Sequence, residues 1–388
     1  MRIKLKDAFE LQIGKTPSRN KSEYWNGVYK WVSISDIGNS EKYVYSTREL
    51  ITDKGIIDSG VKVIPKGTVI MSFKLSIGKT AITTEDMYTN EAIVAFIDKK
   101  KIPIDIDYMY YLCSGSNWMQ GVNKAVMGLT LNKATLSEKE INIPNIEIQK
   151  KCACNLDKID RIIDLKKQQL DQLDLLVRSL FIEMFGDPII NTKKWKKEKC
   201  KNILTKIGSG ATPQGGSESY KEEGISLIRS MNVHNGRFES KDLAYIDEKQ
   251  AQKLDNVNIK ENDVLINITG ASVARCCIVP SYVIPARVNQ HVSVLRCSDM
   301  VNSIFLCYQI TNDSYQNLLK KIGTSGGATR EAITKKQIED LEVILPPLEL
   351  QNKFANFVRG TDKSKLAVKK SLEELEILKK SLMQKYFA

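Results

Sequence analysis

Apolar residues Leu156, Ile159, Ile163, Leu170, Leu173, Val177 and Leu180 are spaced by threes, fours and one seven, with Lys166 where the seven skips a beat. This is the a/d seam of a coiled coil, and it predicts a helix over 147–186. A less regular seam, Val358, Val368, Leu372, Leu375, Leu378, Leu382 and Phe387, predicts a second helix over 348–388. Gly360 and Thr361 predict a kink or short break near its start. About 35 residues at 1.5 Å each give rods of roughly 50 Å. Such a helix cannot bury its stripe alone. Two in one chain most simply pair with each other, antiparallel because a globular segment separates them; packing of each helix on its own domain is the alternative.

Ahead of each helix the pattern changes. Val61-Lys-Val-Ile-Pro-Lys-Gly-Thr-Val-Ile-Met-Ser-Phe73 has short β-branched runs broken by a turn, and the stretch from Val288 to Arg296 alternates like a half-buried strand. Each half therefore reads as a mixed α/β (α+β) domain of about 150 residues. Prolines at Ile143-Pro144 and Leu345-Pro-Pro347 punctuate the start of each helix, and Phe185-Gly-Asp-Pro188 closes the first. The expected order is a domain at 1–146, a helix at 147–186, a domain at 187–347 and a helix at 348–388.

The halves are one unit written twice. Ile13-Gly-Lys-Thr-Pro17 is echoed by Ile207-Gly-Ser-Gly-Ala-Thr-Pro213, and Trp31-Val-Ser-Ile-Ser-Asp36 by the stretch ending Leu-Ile-Arg-Ser-Met-Asn232. Ile64 to Met71 matches Ile259 to Ile266, and Ile77 to Ile82 matches Val273 to Ile278. The offset is 196 at Pro17 and Pro213, 195 at Val69 and Val264, and 199 at Asn90 and Asn289. It then holds at 202 for Pro144 and Pro346, Gln149 and Gln351, Leu173 and Leu375, and Leu180 and Leu382. A globular part that tolerates insertions, followed by a helix of fixed length, behaves this way.

Composition adds a partner. Hydrophobic residues make up 42% of the 388 and charged residues 27%, as in chains with real cores. A net charge of +12 favours a polyanion, either nucleic acid or an anionic membrane surface. No apolar run reaches the roughly 18 residues a spanning helix needs. The start, Met1-Arg-Ile-Lys-Leu-Lys-Asp-Ala-Phe-Glu10, has no secretory h-region, so the cytoplasm is expected. Eight cysteines form no C-x-x-C pair and only two histidines are present, which argues against a zinc site or a disulfide framework.

The strings that tempt an enzyme assignment fail on chemistry. Gly14-Lys-Thr16 and Gly78-Lys-Thr80 resemble a P-loop end, but Phe9 and Phe73 stand where its first glycine is needed. Gly323-Thr-Ser-Gly-Gly-Ala-Thr329 reads as a polar loop after a helical Leu318-Leu-Lys-Lys-Ile322, not as a dinucleotide fingerprint. No amino-methyltransferase tetrapeptide, nucleophile elbow or triad is present. Acidic residues such as Asp157, Asp160, Asp164 and Glu373 alternate with lysines as a solvated helix face does. No catalysis by the isolated chain is expected.

Several motifs together resemble the specificity subunit of type I restriction–modification enzymes. They are the G-x-T-P loops ending at Pro17 and Pro213, the aromatic run Tyr24-Trp25-Asn-Gly-Val-Tyr-Lys-Trp31, and the P-x-x-x-x-Q starts at Pro144 and Pro346. Phe181 to Pro188 is similar to the family's close of the central helix. The second copy departs in carrying Tyr220-Lys-Glu-Glu-Gly224 in place of the aromatic run. The resemblance implies two target-recognition domains, each reading half of a split, asymmetric DNA site, with paired helices as a ruler and a dock for two methyltransferase subunits. It implies no cofactor in this chain; S-adenosylmethionine would bind those partners, and ATP and magnesium two motor–nuclease subunits in the restriction form. A non-catalytic RNA-binding or scaffold protein, and a chain fused to a methyltransferase, are the rivals.

Candidate DNA contacts are polar loop residues at matching places in the two copies. They are Lys15, Thr16, Ser18, Arg19, Lys74, Ser76, Lys79 and Lys124 in the first, and Thr212, Gln214, Arg229, Asn232, Thr269, Arg275, Thr324 and Arg330 in the second. Arg, Asn and Gln suit paired contacts to base edges, whereas lysines more often hold phosphate. The helix-pairing set is Leu156, Ile159, Ile163, Leu170, Leu173, Val177, Leu180, Leu372, Leu375, Leu378 and Leu382.

Overall fold

The computed structural model describes residues 1–37, 42–74, 76–118, 131–324 and 331–387. Two compact units emerge, Met1–Lys167 with Lys370–Ala388, and Gln168–Lys369. Each takes a stretch of both long helices, Ile146–Phe185 and Leu348–Phe387, so a compact unit does not end where a helix begins.

The first unit holds a five-stranded sheet in the order Phe9–Ile13, Ile93–Asp98, Val69–Ser72, Thr80–Thr83, Tyr43–Val44. A second sheet orders Glu49–Ile51, Trp25–Val32 and Tyr88–Thr89, its first pair antiparallel and its second parallel. The second unit has the matching strands Leu204–Ser209, Val292–Cys297, Val264–Asn267 and Cys276–Ile278, all antiparallel. Its three-stranded sheet, Ala244–Ile246, Ile225–Ile228, Ala286–Val288, again pairs antiparallel and then parallel. The repeat seen in spacing is therefore a repeat of topology. One expectation fails: Val288 to Arg296 is not one half-buried strand. It ends one strand at Val288 and begins another at Val292 in a different sheet, both inaccessible to solvent over most of their length. The alternation came from two buried strands and the polar turn Asn289-Gln-His291 between them.

Within each unit the helices pair antiparallel. In the first, Lys379 lies 2.5 Å from Asp160, and Asn155 donates to the Tyr386 hydroxyl at 3.3 Å. In the second, Lys365 lies 2.5 Å from Asp174, and the Phe181 and Phe354 rings meet at 5.5 Å. Leu156, Ile159, Ile163 and Val177 are buried in the seam; Leu170, Leu173, Leu180, Leu372, Leu375 and Leu382 are half-buried. Leu378 is a correction: it is 47% exposed, because Lys379 turns inward to meet Asp160 and leaves its neighbour facing solvent. No break occurs at Gly360 either. A single helical glycine costs only about 1 kcal/mol, and buried Val358 and Thr361 on either side hold the helix to its unit.

The P-x-x-x-x-Q motif has a structural cause. Gln149 is fully buried; its amide oxygen accepts from the Asp105 backbone N–H at 2.8 Å, and its nitrogen donates to the carbonyls of Pro144 and Pro103 at 2.9 and 3.0 Å. Gln351 does the same, accepting from the Asn302 N–H at 2.9 Å and donating to the Pro346 carbonyl at 2.8 Å. Asp105 and Asn302 in turn cap the helices Ile106–Gly115 and Ser303–Thr311. Each glutamine thus ties the start of a long helix to the capped end of a domain helix.

Candidate nucleic-acid interface

The G-x-T-P loops sit where a strand leaves its sheet and passes under a turn. Gly14 is pressed on the strand Tyr88–Thr89 of the other sheet, where a Cβ would meet the Thr89 carbonyl oxygen at 2.2 Å; at Gly210 it would meet the Val288 oxygen at 1.7 Å. Only glycine permits that approach. Gly210→Ala is expected to destabilise the protein by about 1–3 kcal/mol and displace the second loop. Thermal melting together with DNA binding checks this, and an unchanged melting temperature would contradict it.

Over each loop lies the same turn. Asn90 donates its backbone N–H to the Val32 carbonyl at 3.0 Å and accepts at Oδ1 from the Ala92 N–H at 3.1 Å. Asn289 donates to Ile228 at 3.0 Å and accepts from His291 at 3.0 Å. The residue after each asparagine, Glu91 or Gln290, is exposed and accepts a hydrogen bond from the loop threonine, Thr16 or Thr212. The candidates drawn from the sequence include the two threonines but neither acceptor.

Most first-copy candidates are drawn together here. Trp31 donates to the Lys15 carbonyl at 3.1 Å, and Trp25 to that of Ser18 at 3.2 Å. The Arg19 guanidinium lies 4.1 Å from the Trp25 ring and 5.1 Å from Trp31, and it is paired with Glu49. Partial burial works against the charged form of Glu91, but the Thr16 hydroxyl, its own backbone, Lys74 and Arg19 together hold its carboxyl below the usual range. Ser76 and Lys79 flank the adjacent turn, where the Ser72 hydroxyl donates to the Ser76 carbonyl and accepts from the Lys79 N–H at 3.1 Å. Lys124 lies outside the described residues.

In the second copy Thr269 meets His291 Nδ1 at 2.6 Å, and His291 Nε2 faces the Gln290 amide nitrogen at 3.2 Å. Arg275 holds the place of Lys79, its carbonyl accepting from the Asn267 N–H at 2.8 Å as that of Lys79 does from Ser72 at 2.8 Å. The Arg229 guanidinium sits 5.4 Å from the Tyr220 ring and donates to the Asp242 carbonyl. Its Nε and the Oδ1 of Asn267 are buried without a hydrogen-bond partner, the kind of unmet polar group that functional sites retain. Asn232 is a correction: it is fully buried, accepting from the Arg229 N–H at 3.0 Å and donating to the Glu239 carbonyl at 2.9 Å, so it shapes the turn rather than touching a base. Gln214 is exposed beside its loop, and Thr324 caps its own helix by donating to the Lys321 carbonyl at 3.0 Å. Arg330 lies outside the described residues.

A cleft of about 1380 Å³ in the second unit is flanked by both helices and His234; of its two lysines, Lys365 and Lys369, Lys365 is matched by Asp174 and Asp362. Among the described residues no group of His, Cys, Asp or Glu could hold a metal, and no helix is long and apolar enough to cross a membrane.

Two copies of one fold, each ending in a polar loop cluster and a long helix, define a duplicated recognition protein. The chain belongs to the type I restriction modification DNA specificity domain family, whose pattern matches residues 1–175 and again 192–377. It is 28% identical over 406 residues to the type I restriction enzyme MjaIX specificity subunit of Methanocaldococcus jannaschii, covering 98% of this chain and 91% of that one. A solved chain from work on complex assembly and conformational transition of the type I R-M system shares the fold, with a TM-score of 0.66 at 18% identity over 100% of this chain and 97% of that one. The S subunit from M. genitalium does so with a TM-score of 0.57 at 15% identity, covering 100% and 96%.

Proposed function

We propose that this specificity subunit reads a bipartite, asymmetric DNA site, one half with each loop cluster, and has no catalysis of its own. The observation that carries the reading is the duplication of the cluster itself: the same loop, turn and threonine-bound acceptor stand in both units, with different side chains around them. A net charge of +12 supplies phosphate contacts and a salt-dependent baseline affinity, while polar side chains at base edges supply discrimination. Joining two readers on one chain raises affinity through effective concentration, and only for half-sites at a matching separation. Each 40-residue helix is about 60 Å long, against the roughly 34 Å of one duplex turn. The half-exposed apolar face of the helices suits two methyltransferase subunits, which would carry S-adenosylmethionine; motor–nuclease subunits would bring ATP and magnesium. Nothing in the comparisons favours the RNA-binding or scaffold reading.

Selection from a random double-stranded DNA library by the full chain tests this. A consensus of two short blocks with an unread gap is expected, and a single continuous block, or none, overturns it. Arg229→Ala should weaken binding about tenfold or more to sites with the second block intact and leave the first block's consensus unchanged. Equal loss on specific and random DNA in filter binding would assign Arg229 to phosphate instead.

A further inference from the structure

The two clusters share the hydrogen bonds of their turn and loop threonine, and they differ in the acceptor that threonine meets. Asn90 and Asn289 fix the turn with the same backbone and side-chain bonds, so the next residue leaves each turn at an equivalent place. That residue is a glutamate in one copy and its near-isostere glutamine in the other, both exposed, each with one oxygen held by the threonine of the G-x-T-P loop. Each bound oxygen keeps a second lone pair, and the second Glu91 oxygen and the second N–H of the Gln290 amide, whose nitrogen also faces His291 Nε2, remain to meet a partner. We propose that Glu91 and Gln290 are base-reading groups, Glu91 selecting cytosine in the first half-site and Gln290 adenine in the second. This rests on the reading above that the clusters face DNA.

The assignment follows from what each group can exchange. An ionised carboxylate only accepts, and in the major groove it matches the exocyclic amine of cytosine. A carboxamide both accepts and donates, and so fits the amine and N7 of adenine as a pair. The influences that hold the Glu91 carboxyl ionised keep it an acceptor at neutral pH. An isolated carboxylate would be repelled by the phosphates; Lys74 and Arg19, close enough to favour the charged form of Glu91, offset that repulsion. In the second copy no such cations are needed for a neutral amide. There His291, itself held by Thr269, stands beside the Gln290 nitrogen, where the first copy has only the buried methyl of Ala92. Both side chains are oriented before DNA arrives, which lowers the ordering cost of the contact.

The test is library selection with the full chain carrying Gln290→Glu, Glu91→Gln or Gln290→Ala, beside the unaltered chain. Gln290→Glu should change one position of the second block from adenine to cytosine, and Glu91→Gln one position of the first block from cytosine to adenine. Each should shift preference about ten- to hundredfold and leave the opposite block untouched. Gln290→Ala, which introduces no charge, should relax that same second-block position and no other. Unchanged consensus sequences, or loss spread over every position of a block, would overturn the inference. Failure of the unaltered chain to select a gapped site would instead sink the reading on which it rests.

Discussion

Phe354→Ala should lower the stability of the chain by about 3–5 kcal/mol, the range for emptying a fully buried phenylalanine site. Phe354 comes from the C-terminal helix, is completely inaccessible, and meets three rings edge-on: Phe181 at 5.5 Å, Phe185 at 5.6 Å and Tyr308 at 5.2 Å. Phe181 and Phe185 come from the central helix and also pack on Phe305, at 5.7 and 4.8 Å. This one cluster therefore joins both helices to the domain helix Ser303–Thr311 inside the second unit. Each aromatic pair adds about 0.5–1.5 kcal/mol beyond its buried area, and truncation to alanine forfeits three of them while leaving a cavity. Urea unfolding measures the loss, and hydrogen exchange across residues 177–185 should speed accordingly. The exposed neighbour Phe357 is the control, with less than about 1 kcal/mol expected. A small effect at Phe354 would mean that the helices are held by their charged pairs instead.

Gln351→Leu is the second large effect, about 3 kcal/mol. Leucine nearly matches glutamine in volume, so the loss is one of polar bonding rather than packing. It would leave the Asn302 N–H and the Pro346 carbonyl buried without partners, each worth about 1–3 kcal/mol when orphaned. Gln149→Leu should cost a similar amount in the first unit, where the Asp105 N–H and the carbonyls of Pro103 and Pro144 lose the same partner. Equal melting temperatures for the parent chain and both variants would show that the motif serves a partner and not the fold.

Much of the architecture was legible because long-range order left a short-range trace. The seam from Leu156 to Leu180 repeats often enough to announce a helix, and a constant offset of 202 residues announces that the helical parts match. The misses share a cause, which is that burial and direction depend on neighbours distant in sequence. Asn232 had the right chemistry for a reader, yet the backbone of 239–241 folds over it. Leu378 kept the heptad spacing, yet Asp160 draws Lys379 inward beside it. Asn90 and Asn289 match in the repeat, but the residues after them, Glu91 and Gln290, are not among the candidates drawn from the sequence. Their proximity to Thr16 and Thr212, across roughly 75 residues of chain, becomes visible only once the strands pair. A glutamate exchanged for glutamine beside a shared asparagine was the available signal.

Base-resolution methylation mapping of a host carrying this chain with a methyltransferase partner would address the duplicated-reader claim most directly. Modified adenines confined to one asymmetric motif, two short blocks at a single fixed gap, are the predicted result. Methylation at an ungapped or palindromic motif, or at blocks whose gap varies freely, would contradict it.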